Sequence, residues 1–344
     1  MSNDLTSLLS RLSLSAAPSL IKSTRLSYSA WTQEPPASLL NPSAILSGDI
    51  HLPEYLIPII SPSKLPALKD PLPLPMTIQP YKQTVKPAPK PNLLLIIASL
   101  FALHNVADIE SAWRTLAPYD IIIPRKVLTT ILANNDVEAY AWRPAPDVPV
   151  FIDRKASYAT NPGSIGMLFE SGAVKARSDH FRFYGICEVV LDGRLRIAVS
   201  GEVDAVDDAS GTPVEIKTRP SWARPDSERD FVAWLQATVG GVENIVAAGF
   251  SAGRGVRDGP VTFSRANVSE RHPNEYHRVD DGEKRRLKAG FKFLDTVIER
   301  TAADGQVYEL GGRASSPDLT LADGMEHCAV TKELIEHVAT MDWS

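Results

Sequence analysis

Glu202, Asp204, Glu215 and Lys217 stand where their neighbours read as buried strand. They belong to the stretch RIAVSGEVDAVDDASGTPVEIKTRP, Arg196 to Pro220. Successive side chains of a strand point to opposite faces. From Leu195 onward, Ile197, Val199, Val203 and Ala205 therefore share one face, interrupted only by Gly201, while Ser200, Glu202 and Asp204 take the other. After a turn rich in Asp, Ser and Gly, Val214 and Ile216 resume the apolar face and Glu215 and Lys217 the polar one. If the two runs pair, three carboxylates and one ammonium crowd onto one patch of sheet. Like charges facing each other destabilise a sheet, and each carboxylate raises its neighbour's pKa unless a cation intervenes. A divalent ion removes that conflict, and oxygen ligands at this density suit Mg2+ or Mn2+. Lys217, on the same face as Glu215, is placed to offset charge on a phosphoryl transition state or an attacking water. A solvated hairpin face laced with salt bridges is the plainer reading of the same residues.

Positioning such a cluster takes a rigid body, and the chain is long enough to build one. Its 344 residues allow one large core or two ordinary ones. Hydrophobic residues at 44% and charged residues at 22% are the proportions of a soluble globular protein. A net charge of −5 argues against a protein that coats nucleic acid generally, but not against an enzyme whose acidic residues hold cations. Two cysteines, Cys187 and Cys328, are too few for a disulfide framework, so a reducing, intracellular compartment is expected. The N-terminus lacks the basic-then-apolar layout of a secretory signal. The apolar run from Leu93 to Leu103 is too short for a membrane span and reads as a buried helix.

Of the 27 prolines, 15 lie at or before Pro91. Proline removes a backbone donor and fixes φ, so residues 1–91 read as an extended arm or linker, and residues 92–344 as the catalytic domain. The elements expected in that domain alternate. Asn92 to Ala117 gives one or two helices, and IIIPRKVLTTILAN gives a short strand and then a helix with Pro124 in its first turn. A helix follows Asn161-Pro162, and a hairpin turns at Asp192-Gly193. DSERDFVAWLQATVG reads as an amphipathic helix with Phe231, Trp234, Leu235 and Val239 on one stripe, ENIVAAGF as a buried strand, and EKRRLKAGFKFLDTVIERT as a late helix before a last strand pair. The sum is a mixed α/β or α+β body on a largely antiparallel sheet.

An acidic residue on one strand with Glu-x-Lys on the next is the pattern of the PD-(D/E)XK nucleases. A wider set of motifs, from about Ile121 to Gly249, resembles the DXO family of decapping nucleases, which includes the nuclear partner of the 5′→3′ exoribonuclease. IIIPRKVLTTIL resembles its first motif and carries Arg125; IGMLFESG resembles its glycine–aromatic–glutamate motif, with Gly166 and Glu170. SGEVDAVD resembles its G-E-x-D motif, with Glu202 and Asp204; VEIKTR matches E-x-K, with Glu215 and Lys217; and WLQATVGGVENIVAAGF resembles the segment that carries Gln236. The resemblance implies a PD-(D/E)XK-like core and a metal-dependent hydrolase working at RNA 5′ ends. Its implied substrates are 5′-triphosphate RNA, incomplete or NAD caps, and in some members successive nucleotides. It implies one or two Mg2+ or Mn2+ ions on Glu170, Asp204 and Glu215, with Glu202 and the Ile216 carbonyl. Lys217 and Gln236 would orient water and the scissile phosphate, and Arg125 would hold an RNA phosphate. The implied partners are an RNA 5′ end and a 5′→3′ exoribonuclease, in the nucleus, with neither DNA nor membrane. Two rival readings stay open: a PD-(D/E)XK nuclease acting on DNA, and a non-catalytic partner of an exoribonuclease.

Other motifs carry less. GFSAG, Gly249 to Gly253, fits the nucleophile-elbow pattern, but GRGVRDGPV after it is turn chemistry where a helix is required. The histidines show no zinc-site spacing. Lys284, Arg285, Arg286 and Lys288 form a basic helix start able to attract RNA phosphate.

Overall fold

Two twisted sheets carry the chain in a computed structural model that describes residues 20–81, 92–155, 163–180, 182–221, 227–252, 259–322 and 330–343. In spatial order the nine-stranded sheet is β16 (Ser316–Leu321), β15 (Val307–Arg313), β6 (Ala139–Trp142), β7 (Val150–Arg154), β5 (Ile121–Pro124), β10 (Leu195–Glu202), β9 (Arg182–Leu191), β1 (Ile21–Trp31) and β2 (Leu56–Ile57). The seven-stranded sheet runs β4 (Met76–Ile78), β14 (Val261–Arg271), β13 (Asn244–Ala252), β12 (Pro213–Pro220), β11 (Ala205–Val206), β3 (Ala67–Leu68) and β8 (Val174–Lys175). Most pairings are antiparallel; β5 with β10 and with β7, β12 with β13, and β3 with β11 are parallel. The α+β architecture expected from the sequence is the one observed.

Helices cover the sheets. They are α1 (Pro42–Leu46), α2 (Asn92–Leu103), α3 (Ile109–Leu116), α4 (Arg125–Leu132), α5 (Ile165–Ala173), α6 (Ser227–Val239), α7 (Pro273–Tyr276), α8 (Asp281–Arg300) and α9 (Lys332–Ala339). The larger sheet is buried on both faces, which is why β5 reads as an unbroken apolar run. Ile122, Ala198 and Ile186 face a cluster filled by α2 and α9, while Ile121, Ile123, Ile197 and Val199 face one filled by α4, α6 and α8. The run LLLIIASLFAL is apolar all round because α2 is buried all round, from Leu93 to Phe101. The smaller sheet packs Val214, Ile216, Val246 and Phe263 against Phe169 and Ala173 of α5.

The hairpin turning at Asp192-Gly193 forms as its dipeptide dictates, with φ of 51° and 70° at the two turn residues. The second expected hairpin does not form as read. β10 pairs with β9 and β5 in the larger sheet, whereas β12 belongs to the smaller one, joined to β13 and, over Val214↔Ala205 and Pro213↔Val206, to β11. The chain leaves one sheet after Glu202 and enters the other at Ala205. Period-2 alternation runs unbroken across that crossing, since Val203 and Ala205 are still buried, so the pattern hides it.

Residues 20–81 are largely extended, but they are woven into the body rather than laid along it. β1 pairs with the whole length of β9, and Trp31, Leu39, Ile45 and Leu52 fill the core beside α2. β3 and β4 extend the smaller sheet. The division expected at 91/92 falls at the edge of 82–91, outside the described residues, as does Cys328. No described helix is long and apolar enough to cross a membrane. Ser251 lies within β13, opposite Thr262, so no elbow presents it.

Candidate active site

The crossing between the two sheets is where the acidic residues gather. Glu202 closes β10, Asp204 lies in the link to β11, and the Asp204 Oδ2 accepts the Ile216 N–H of β12 at 2.8 Å. That bond ties the link to the second sheet. Glu215 projects from β12 opposite in parity to Val214 and Ile216, and its side chain is 3% exposed. Its two oxygens are held separately: Oε2 by the Arg125 Nη1 at 2.9 Å, Oε1 by the Lys217 Nζ at 2.5 Å. The Glu202 Oε1 takes the Arg182 Nη1 at 2.8 Å.

Arg125 is set by its backbone. β5 runs parallel to β10 with Pro124 opposite Ser200, and α4 starts at the next residue, so Arg125 enters alongside Gly201 and Glu202. Its Nη2 donates to the Glu202 carbonyl at 2.9 Å and its Nη1 to the Gln236 carbonyl at 3.4 Å. Two glycines clear its path. A Cβ at Gly201 would lie 2.5 Å from the Arg125 Nε, and one at Gly240 would lie 2.8 Å from Nη1.

The electrostatics divide the carboxylates. Burial alone would raise the Glu215 carboxyl, but the Arg125 guanidinium and the Lys217 ammonium overcome it and hold the group at about 2. Burial likewise opposes the charge on Lys217, yet Glu215 and Asp204 raise its pKa on balance. Glu170, half-buried on α5, is pushed up to about 8 by burial and then by Asp204 and Glu202. Asp204 is pushed up to about 7 by burial and then by Glu215. Burial is the larger cause for both; around Glu170 it is joined by the charges of three carboxylates against one ammonium, whereas around Asp204 the charge of Glu215 is opposed by Lys217 and Arg125.

Among the described residues no three His, Cys, Asp or Glu side chains stand close enough together to hold a metal ion as they are. The cause is visible in the pairs above: Glu215, Glu202 and Asp204 are each drawn to a protein donor. The donor set nevertheless fits a hard divalent cation. It is all oxygen, and a bound cation would offset the burial and the carboxylate repulsion that raise Glu170 and Asp204.

Glu170, Glu202, Asp204, Glu215 and Lys217, expected to act together, share one electrostatic neighbourhood. Gln236 enters through its backbone carbonyl, and Ile216 through its N–H. Arg125, expected against an RNA phosphate, is turned inward onto Glu215, 12% exposed. Arg182 was missed, for a lone arginine ahead of a strand gives no signal. Gly201 did give one, as the interruption in an apolar strand face. Of the basic helix start, Lys284 pairs with Asp281 and Arg286 with Glu228.

No family model matches the sequence, and no curated protein matches it either. Solved structures do match the fold. The S. pombe Rai1 structure aligns over 88% of this chain and 94% of its own, at 14% identity and a TM-score of 0.56. The chain has the fold of Rai1. The Candida albicans Rai1 structure, which holds pU5 and Mn2+, aligns over 92% of this chain and 95% of its own, at 14% identity and a TM-score of 0.55. Scheffersomyces stipitis Rai1, crystallised with (3′-NADP)+ and calcium, aligns over 93% and 97%, at 14% identity and a TM-score of 0.52. With 93% of this chain aligned, most of residues 20–81 fall within the match, in keeping with the strands they add to both sheets.

Proposed function

We propose that the protein is a divalent-metal-dependent hydrolase acting at RNA 5′ ends. It would remove pyrophosphate from 5′-triphosphate RNA, or an incomplete or NAD cap, with 5′→3′ trimming as a further activity and the nucleus as its place of work. One observation carries this reading: Glu170, Glu202, Asp204, Glu215 and Lys217 converge where the chain crosses between the two sheets of a fold shared with Rai1. The pU5 and Mn2+ held by the C. albicans protein support the substrate class and the ion.

Glu170, Asp204 and Glu215 would hold Mg2+ or Mn2+, with Glu202 and the Ile216 carbonyl completing the set. The ion, when bound, supplies Lewis-acid charge to a phosphoryl oxygen and a more acidic water. Lys217 keeps its proton, because Glu215 and Asp204 stabilise the ammonium. It presents that charge to the scissile phosphate, while Gln236 helps orient the attacking water. Arg125 acts from behind, fixing one Glu215 oxygen and leaving the carboxylate ionised at any physiological pH.

The test is cleavage of internally labelled RNAs that carry 5′-triphosphate, unmethylated cap, NAD or 5′-monophosphate ends, each in Mn2+ or in chelator. Mn2+-dependent release from at least one modified 5′ end is expected, and the preferred end names the activity. No release from any of them contradicts the reading. A non-catalytic partner of an exoribonuclease is the second reading, favoured by the cations that already occupy both Glu215 oxygens. Equal cleavage of duplex DNA would move the assignment to a DNA nuclease.

A further inference from the structure

The last turn of α6 carries Gln236 and the carbonyl that takes Arg125, and it ends in a defined way. Gly241, with φ of 57°, closes the helix: its N–H donates to the Thr238 carbonyl at 3.2 Å, and the Val242 N–H donates to the Ala237 carbonyl at 2.9 Å. This is the glycine cap that ends many helices, and Val242 packs with Ala237, the apolar contact that accompanies it. The cap leaves over the carbonyls of Val239 and Gly240, and β1 takes both. The Ser23 Oγ donates to the Val239 carbonyl at 3.0 Å, and the Arg25 Nη2 donates to the Gly240 carbonyl. The Cys187 Sγ of β9 donates to the Gly240 carbonyl as well, at 3.3 Å.

To reach that carbonyl Arg25 crosses β9 at Gly185, where any Cβ would overlap its guanidinium, just as Gly201 and Gly240 clear the path of Arg125. The two arginines thus meet at one helix end, Arg125 on the Gln236 carbonyl and Arg25 on the Gly240 carbonyl one turn further on. The helix dipole favours cations there. Both arginines line one cavity of about 10 Å3 together with Glu202, Glu215 and Gly240. Stability alone does not account for Arg25. The helix is already capped at Gly241, and Phe231, Leu235 and Val239 already bury its apolar stripe. Among the described residues the buried Arg25 Nε has no acceptor, a cost that an apolar side chain in its place would not carry.

We propose that Arg25 is a positioning residue for the hydrolysis. It fixes the end of α6 against β1, and so sets where Gln236 stands and how Arg125 meets Glu215. It touches neither substrate nor ion. The role rests on the function proposed above, and it gives the N-terminal strand a part in the chemistry as well as in the sheet.

The test compares full-length wild type with Arg25→Met, Arg25→Lys and Gly185→Ala. Hydrolysis in Mn2+ of the modified-end RNA that wild type cleaves fastest gives kcat and KM, while hydrogen exchange and a thermal melt report on the helix and the fold. Arg25→Met is expected to lower kcat about tenfold, since small misplacements around a site cost that much or more, with KM unchanged and faster exchange confined to the last turn of α6. Gly185→Ala displaces the guanidinium without removing it and is expected to do the same. Arg25→Lys keeps a cation at the helix end and is expected to recover most of the loss. Because both arginines fasten the same turn, Arg25→Met should cost less kcat in an Arg125→Lys background than in wild type. A wild-type kcat in Arg25→Met, or an equal loss in both backgrounds, overturns the role while leaving the proposed function standing. So does an early melt with undiminished kcat at temperatures where the variant is folded, which makes Arg25 a stabilising residue only. If wild type cleaves none of the RNAs, the proposed function falls and the role with it.

Discussion

At the scale of single residues, the acidic cluster is a set of unequal carboxylates. Glu215 is ionised and locked between Arg125 and Lys217, whereas Glu170 and Asp204 are poised near neutrality. Removing Glu215 would therefore do two things at once, because it leaves a buried guanidinium and an ammonium without their partner. Loss of one member of a buried ion pair costs about 3–5 kcal/mol, so Glu215→Ala is expected to lower the urea midpoint as well as abolish hydrolysis. Glu170→Gln is the cleaner probe: it removes a carboxyl group that no ion pair holds, and is expected to cut hydrolysis at least 100-fold with an unchanged melt. The pH dependence has a definite sign. Metal ligands must be deprotonated, and the raised pKa values mean that protons occupy Asp204 below about 7 and Glu170 below about 8. Mn2+ affinity should rise with pH through that window and level off above it, with proton release measurable by calorimetry in buffers of different ionisation enthalpy. The charged residues themselves were legible in the sequence as a polar face that a core strand should not have. Arg125 was legible as a motif residue, but its direction was not, since nothing in local spacing says whether an arginine after a strand turns outward to solvent or inward to a carboxylate ninety positions further on.

At the scale of elements, the informative difference lies in the stretch from Leu195 to Lys217. A turn signal at Asp207 to Gly211 did mark a real turn, with the Asp207 Oδ1 accepting from Ser210 and Ala209. The ladder that it joins is only the short β11–β12 pair, because β10 had already found its partners in β9 and β5. Strand partners are chosen by tertiary packing, to which local alternation is blind. The consequence favours chemistry: carboxylates from two sheets and one helix meet at a crossing, where a single hairpin would have set them in one flat row. Gly201 makes the crossing possible by letting the Arg125 side chain pass against β10. Gly201→Ala is expected to displace the guanidinium, costing about 1–3 kcal/mol in a urea melt and most of the hydrolytic activity. An unchanged melt and full activity would show that Arg125 is not held there.

At the scale of the whole molecule, the helices and most strands from Asn92 onward could be read from periodicity, because α4, α6 and α8 each bury one stripe against the same face of the larger sheet. Residues 20–81 could not, because proline density signals an extended chain and is silent on whether that chain is paired. β1 is paired from Ile21 to Trp31, and it seals the β9 edge. A truncated chain starting after Trp31 is therefore expected to be aggregated or unfolded by circular dichroism and gel filtration, and a folded, active product would contradict the architecture. The junction of the two sheets is the proposed cradle for a divalent ion. Calorimetric titration of Mn2+ into the full-length protein at about pH 8, beside Glu170→Gln, tests it most directly. Saturable binding is expected of the wild type, weakened at least tenfold in the variant. An absence of binding heat in the wild type, or equal binding by both proteins, would contradict it.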